Sequence, residues 1–321
     1  MQLLITHPKK PTGRRWTIPL LLLAGLSLVT GGALLFLPYW MPTAIVYAPN
    51  FGKKADSLRE VSSEQLDAWG INQQIQVPVG PPSARLSVWV MEPSRQPARG
   101  TVLVLHGIRD SKASMRGMGR VLADGGYRSV LIDLRGHGSS SGDWLTYGVV
   151  DSQDLTEVLD ALDRQNLLTK PVGAFGCSYG ASTAIQLAGR DSRIRSVVAV
   201  APFATLHVAV HGYARLLGLG FVLPKEMIDR AVEVAGQMGH FQPSEANALH
   251  AIQQTGARVL LIHGTADWKV PSSSSQQLHA AASHHSRLIL VENAGHDSVM
   301  ATIQGRSKAE VLAWFDNPSE D

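Results

Sequence analysis

Cysteine is almost absent from this chain of 321 residues: Cys177 stands alone. A single thiol excludes an intramolecular disulfide and any cysteine-rich metal site. Acid is missing from the start of the chain, where no Asp or Glu precedes Asp56, while Lys9, Lys10, Arg14 and Arg15 lie there. Setting those four basic residues aside takes the formal net charge from +3 to −1. The basic balance is therefore local, and no dense Lys/Arg stripe elsewhere suits nucleic acid. Internal repeats are absent too, and the one low-complexity tract, Ser272 to Ser275, is short.

What the chain does have near its start is apolar sequence. Ile18 to Leu37 carries no charge and is dominated by Leu, Ala, Val and Phe. A helix of about 20 such residues is long enough to cross the hydrocarbon layer. Basic residues precede it, and Trp16, Tyr39 and Trp40 flank it, as at a membrane interface. A cleaved signal peptide has a shorter apolar core and a small-x-small site, for which Pro42-Thr43-Ala44 is a poor match. The expectation is a single-pass anchor with a cytoplasmic N-terminus and the remaining chain outside the cytoplasm, on the periplasmic side of the inner membrane if the cell is Gram-negative.

The expected organisation is a basic tail at 1–15, an anchor at 16–40 and a linker at 41–70. A core follows at 71–202 and resumes at 251–321, interrupted by a helical lid at 203–250. Residues 53–69 suit a short surface helix. Ile71 to Val77 and Leu86 to Val90 read as a hairpin across Gly80-Pro81-Pro82. Short apolar strands then alternate with helical patterns. Strands are expected at Thr101 to Leu105, Arg128 to Leu134, Val172 to Phe175, Ile194 to Val200, Arg258 to Ile262 and Arg287 to Val291. Leu155, Val158, Leu159 and Leu162 mark one helix stripe. The pattern predicts an α/β fold with a mostly parallel central sheet, helices on both faces and an antiparallel N-terminal hairpin. Between Pro202 and His250 no strand appears; Leu206 to Leu223 and Met227 to Met238 read as the helical lid.

Gly176-Cys177-Ser178-Tyr179-Gly180 lies between an apolar strand and a helix-compatible run. A strand that turns sharply into a helix strains its turn residue. Glycines on either side relieve the collisions and leave the serine hydroxyl exposed. A serine needs a base, and the base needs an orienting group. Asp267 and His296 each follow an apolar strand, and the C-terminal ends of parallel strands share one sheet edge. The order Ser178, Asp267, His296 suits a strand-borne triad. Asp297, Asp133 and Glu292 are rival acids, although Asp297 follows the histidine directly and cannot easily fold back to orient it. Main-chain N–H groups of Ile108 and Tyr179 are the candidate oxyanion donors. His106 reads as a brace for that loop, and His137 as structural. Cys177 reads as a packed thiol, and His279, His284 and His285 as a solvated helix end.

The segments His106-Gly107, Asp133 to Ser139, Gly176 to Gly180, His263 to Pro271 and Gly295-His296 together resemble the α/β-hydrolase superfamily over residues 71–316. Within it the layout is most similar to membrane-anchored serine hydrolases of the ABHD13/Bem46-like type. The resemblance implies the α/β-hydrolase fold and cleavage of an ester or thioester, possibly an amide, through an acyl-serine, with no cofactor and no metal. It implies a small-molecule acyl substrate as partner, with the membrane reached through the N-terminal helix. Oligomeric state and acyl group are left open. The alternatives are a silent binding or scaffold protein on this fold, or a serine peptidase.

Overall fold

The computed structural model describes residues 39–54, 58, 61–305 and 308–317. After helix α1 (Ser63–Trp69), strands β1 (Gln73–Val79) and β2 (Ala84–Met91) form the expected hairpin. The order then runs β3 (Thr101–Leu105), α2 (Arg116–Asp124), β4 (Arg128–Ile132), α3 (Val149–Arg164), β5 (Val172–Cys177), α4 (Tyr179–Arg190) and β6 (Ile194–Val200). A helical interval holds α5 (Leu206–Leu216) and α6 (Lys225–Gly239). The core resumes with α7 (Ala248–Gln254), β7 (Arg258–Gly264), α8 (Ser273–Ala281), β8 (Ser286–Val291), α9 (Ser298–Gly305) and α10 (Lys308–Phe315).

The eight strands lie in the order β1-β2-β4-β3-β5-β6-β7-β8. The pairs β1–β2 and β2–β4 are antiparallel and all others are parallel. Central strands buried on both faces read as unbroken apolar runs, which is why β3, with every residue buried, shows no alternation. Helices α2, α9 and α10 cover one face, where Phe175, Val198 and Leu260 meet Met118, Leu122 and Phe315. Helices α3, α4 and α7 cover the other. The crossovers bring the C-terminal ends of β3, β5, β7 and β8 to one edge.

Two expectations need correction. The single-pass membrane placement is not upheld: among the described residues no helix is long and apolar enough to cross a membrane. Ile18 to Leu37, on which that placement rested, lies outside the described residues. That placement draws on the run's length, its basic flank and its aromatic edges, and the assignment of the remaining chain to the outside of the cytoplasm falls with it.

The second correction concerns the linker. Residues 39–46 are helical, and 47–50 are pinned rather than free. Within the unit Pro42–Asp321, Ala48 N–H donates to Asp143 O (2.9 Å), Asn50 N–H to Gly136 O (3.0 Å), and Leu145 N–H to Val46 O (2.8 Å). Ile45 and Val46 are buried there. The helix expected over 53–69 is shorter: Ser62 caps it by accepting from Gln65 N–H, and Gly70 ends it at φ 70°.

Candidate active site

Ser178 stands at the turn between β5 and α4 with φ 51° and ψ −110°, a region few side-chain-bearing residues occupy. The flanking glycines make that turn possible. A Cβ on Gly176 would lie 2.3 Å from Gly180 O, and one on Gly180 would lie 2.6 Å from the carbonyls of Leu105 and His106. The second approach also locks the turn against the loop after β3.

The three distant segments meet. Ser178 Oγ–H donates to His296 Nε2 at 2.9 Å, and His296 Nδ1–H donates to Asp267 Oδ2 at 2.6 Å. His296 follows β8 and Asp267 follows β7, so sheet register sets both. Asp267 is buried, and burial alone would raise its carboxyl. Hydrogen bonds from His263 and His296 and from the Val270 N–H more than offset this and hold it well below the usual carboxylate range. Its Oδ1 accepts from the N–H groups of Lys269 and Val270, both at 2.9 Å.

A cavity of about 300 Å³ opens over Ser178 and His296. Ile108, Met115, Cys177, Val200 and Met300 give it apolar walls, while Asp110, Ser114, Tyr213, Lys269 and Asp297 give polar ones. Ile108 lines the cavity and Tyr179 opens α4 directly after Ser178. Among the described residues neither of their N–H groups has a hydrogen-bond partner. Two unpaired main-chain donors, one on a residue that lines the cavity and one on the residue after the serine, are the groups suited to an oxygen that becomes negative.

The comparisons with known proteins bear on the fold that carries this site. Residues 100–227 match the family model described as the alpha/beta hydrolase fold. The solved structure of the Pyrococcus furiosus esterase PF2001 superposes with a TM-score of 0.65 over 82% of this chain and 97% of that one, at 21% identity. This chain has the α/β-hydrolase fold. The Bacillus subtilis protein YqkD is 25% identical over 223 residues, 68% of this chain and 72% of the relative. A putative protein-lysine deacylase of Rattus norvegicus, ABHD14B, is 33% identical over 126 residues, 38% of this chain and 58% of its own. These matches bear on the hydrolase fold as a whole and not on the finer membrane-anchored type.

On this hydrolase fold the rival acids have other partners. Asp297 pairs with Lys269 Nζ at 2.7 Å, and Glu292 is exposed beyond β8. Asp133 is buried with Lys112: its carboxylate accepts from Lys112 Nζ (2.5 Å), Lys112 N–H (2.7 Å) and Ser139 N–H (2.8 Å). That pair fastens the loop after β3. His106 does brace the same loop, because its Nδ1–H donates to Gly107 O (2.7 Å) and its Nε2 accepts from Leu134 N–H (3.0 Å). Burial pushes its imidazole toward the neutral form. His137 is buried and brought down to about 3, again by burial first. The Cys177 thiol is raised by burial, and Sγ lies 3.0 Å from Met300 Sδ. His284 and His285 bond each other, His285 also bonds Ile252 O, and His279 bonds Ser286.

The lid is where the expectation needs most revision. Helices α5 and α6 are present, but Leu216, Leu217, Phe221 and Val222 face outward and are exposed. Among the lid's described residues only Tyr213 lines the cavity. Periodicity could not show this, because it locates an apolar stripe without saying what covers it.

Sequence reasoning also missed His263. This fully buried imidazole places Nε2 3.0 Å from Val270 O and 3.3 Å from Asp267 Oδ2, while Nδ1 lies 2.7 Å from Ser275 Oγ. With two acceptors facing Nε2, the proton belongs there and Nδ1 accepts from the serine hydroxyl. The signal was available as a histidine four residues before the acid. A hydrogen bond to a charged group contributes about 1.5–3 kcal/mol, or about 10–100-fold in rate if it acts wholly through Asp267. His263→Leu is therefore expected to lower kcat by about 10–100-fold with KM little changed. Steady-state kinetics on a soluble ester checks this, and an unchanged kcat would remove His263 from the acid's support.

Proposed function

We propose that the chain is a serine hydrolase that cleaves a small ester or thioester, with an amide as a slower substrate class. The observation that carries this reading is the continuous row Ser178–His296–Asp267 at the base of an open cavity. Ser178 Oγ attacks the acyl carbonyl while His296 Nε2 takes its proton. Asp267 holds the imidazole by Nδ1–H and stabilises its charged form. The N–H groups of Ile108 and Tyr179 receive the oxyanion. His296 then protonates the leaving group, and a water activated by the same imidazole releases the acid and restores Ser178.

The cavity's apolar walls suit an acyl chain, and its volume sits near the lower end of small-molecule sites. The likeness to an esterase and to a putative deacylase supports acyl transfer as the reaction type. The complete triad argues against a silent scaffold on this fold.

The test is a fluorophosphonate probe followed by a chain-length series of p-nitrophenyl esters. The wild-type protein is expected to label, and to hydrolyse the butyrate with kcat/KM at least tenfold above the laurate. Absence of labelling in folded protein would defeat the enzyme reading. A preference for laurate would defeat the small-acyl assignment.

A further inference from the structure

We propose that Arg109 and Tyr147 are positioning residues that anchor both oxyanion donors to the stretch 44–50. This rests on the acyl-transfer reading above. Arg109 directly follows Ile108, and its Nη2 donates to Ala44 O at 3.2 Å. Tyr147 Oη–H donates to Ile45 O at 2.6 Å. The N–H of the same Tyr147 donates to Tyr179 Oη at 2.9 Å, joined by Thr146 N–H at 3.2 Å. Tyr179 Oη–H in turn donates to the buried Asp151 at 2.8 Å. Ile108 thus reaches the stretch through the next residue's side chain, and Tyr179 reaches it through its own side chain and that of Tyr147.

Backbone strain falls on the same residues. Arg109 has φ 59°, Tyr147 has φ 53° and Ser178 has φ 51°. A side-chain-bearing residue at such angles costs of order 1–3 kcal/mol, and persists only where its surroundings over-determine it. For Arg109 and Tyr147 the surroundings include two neighbouring carbonyls in the last turn of helix 39–46. Such carbonyls lack helical partners and are ready acceptors.

The stretch itself is firmly seated. Ala48 lies so close to Gly136 that a Cβ there would come within 2.3 Å, and Val46 reaches within 2.6 Å of a Cβ on Gly239, at the end of α6. Asn50 Nδ2 donates to Ser140 O (2.8 Å) and Gly138 O (3.0 Å). Residues 44–50 are therefore a fixed rail between the lid and the loop 136–147. Arg109 and Tyr147 pass its position to the two N–H groups that meet the oxyanion. An oxyanion donor misplaced by a fraction of an ångström loses transition-state stabilisation while ground-state binding is retained.

The experiment compares Tyr147→Phe and Arg109→Gln with wild type, using p-nitrophenyl butyrate turnover and inhibition by butylboronic acid. In that adduct Ser178 Oγ bonds to boron and its proton passes to His296. The boron becomes a tetrahedral anion with a hydroxyl oxygen at the oxyanion position. Each variant is expected to lose about five- to tenfold in kcat with KM unchanged, and to bind the boronate more weakly by the same factor. Tyr127→Phe loses a bond to Asp316 just before β4, at the end of the sheet opposite the site, and is expected to lower the melting temperature without changing either readout. Unchanged kcat in both variants, a fall in kcat with boronate affinity intact, or an equal fall in Tyr127→Phe would each overturn the proposal. A wild-type protein showing no Ser178-dependent turnover or boronate binding would instead remove the reading beneath it.

Discussion

Ser178→Ala is expected to abolish acyl transfer, lowering kcat by about 10⁶-fold and eliminating fluorophosphonate labelling. The size follows from the absence of a substitute. Cys177 is next in sequence, yet its thiol is raised by burial and its Sγ lies against Met300 Sδ. Thiolate, not thiol, is the nucleophile, so it has little reactivity to offer. The loss should be chemical and not structural. The turn is held by Ser178 N–H donating to Val200 O at 2.8 Å, a main-chain bond that alanine retains. Hydrolysis of p-nitrophenyl butyrate, read beside the circular dichroism of the variant, checks both halves. More than a few per cent of wild-type turnover in a folded variant would transfer the nucleophile's role elsewhere.

Asp267→Asn comes next, with an expected loss of about 10⁴-fold in kcat at neutral pH. An amide NH₂ in place of Oδ2 faces His296 Nδ1 as a donor. The imidazole then keeps its proton on Nε2, where it cannot accept one from Ser178. The site makes the exchange worse, because Oδ2 faces two imidazoles, His296 at 2.6 Å and His263 at 3.3 Å. A folding cost accompanies the kinetic one, and its sign with pH is fixed. The Asp267 carboxyl is held below its ordinary value, so its contribution to stability is fully present above the unfolded value of about 4. It is lost as pH falls through the depressed folded value. The gap in melting temperature between wild type and Asp267→Asn should therefore be widest near neutral pH and narrow in acid. A gap that grew on acidification would contradict the ionised assignment. Activity lost on mild acidification reports a group other than Asp267.

The architecture was legible because its signals are local. β3 reads as a strand from the four apolar residues after Thr101, and the glycines around Ser178 announce a turn that only glycine permits. The triad was legible because parallel strands deliver their C-terminal ends to one edge, which makes chain order informative about space. His263 escaped because a buried histidine and a solvated one look alike in sequence. The rail at 44–50 escaped for a different reason. Its bonds run to main-chain carbonyls and to residues about 65 to 102 positions away, and carbonyls carry no sequence signature. The outward-facing lid residues escaped because hydropathy reports preference for an apolar neighbour but not which neighbour is met.

The sheet also sets an order of failure. Ser178 rises from β5 in the middle of the sheet, while His296 hangs from β8, a border strand that pairs only with β7 and leaves Arg287 and Leu290 exposed. Borders fray at lower free energy than centres do. As the molecule is warmed or mildly denatured, the imidazole is expected to depart while the hydroxyl keeps its place, so that turnover falls before the circular dichroism does and returns under gentle conditions; simultaneous loss of both signals would contradict this order.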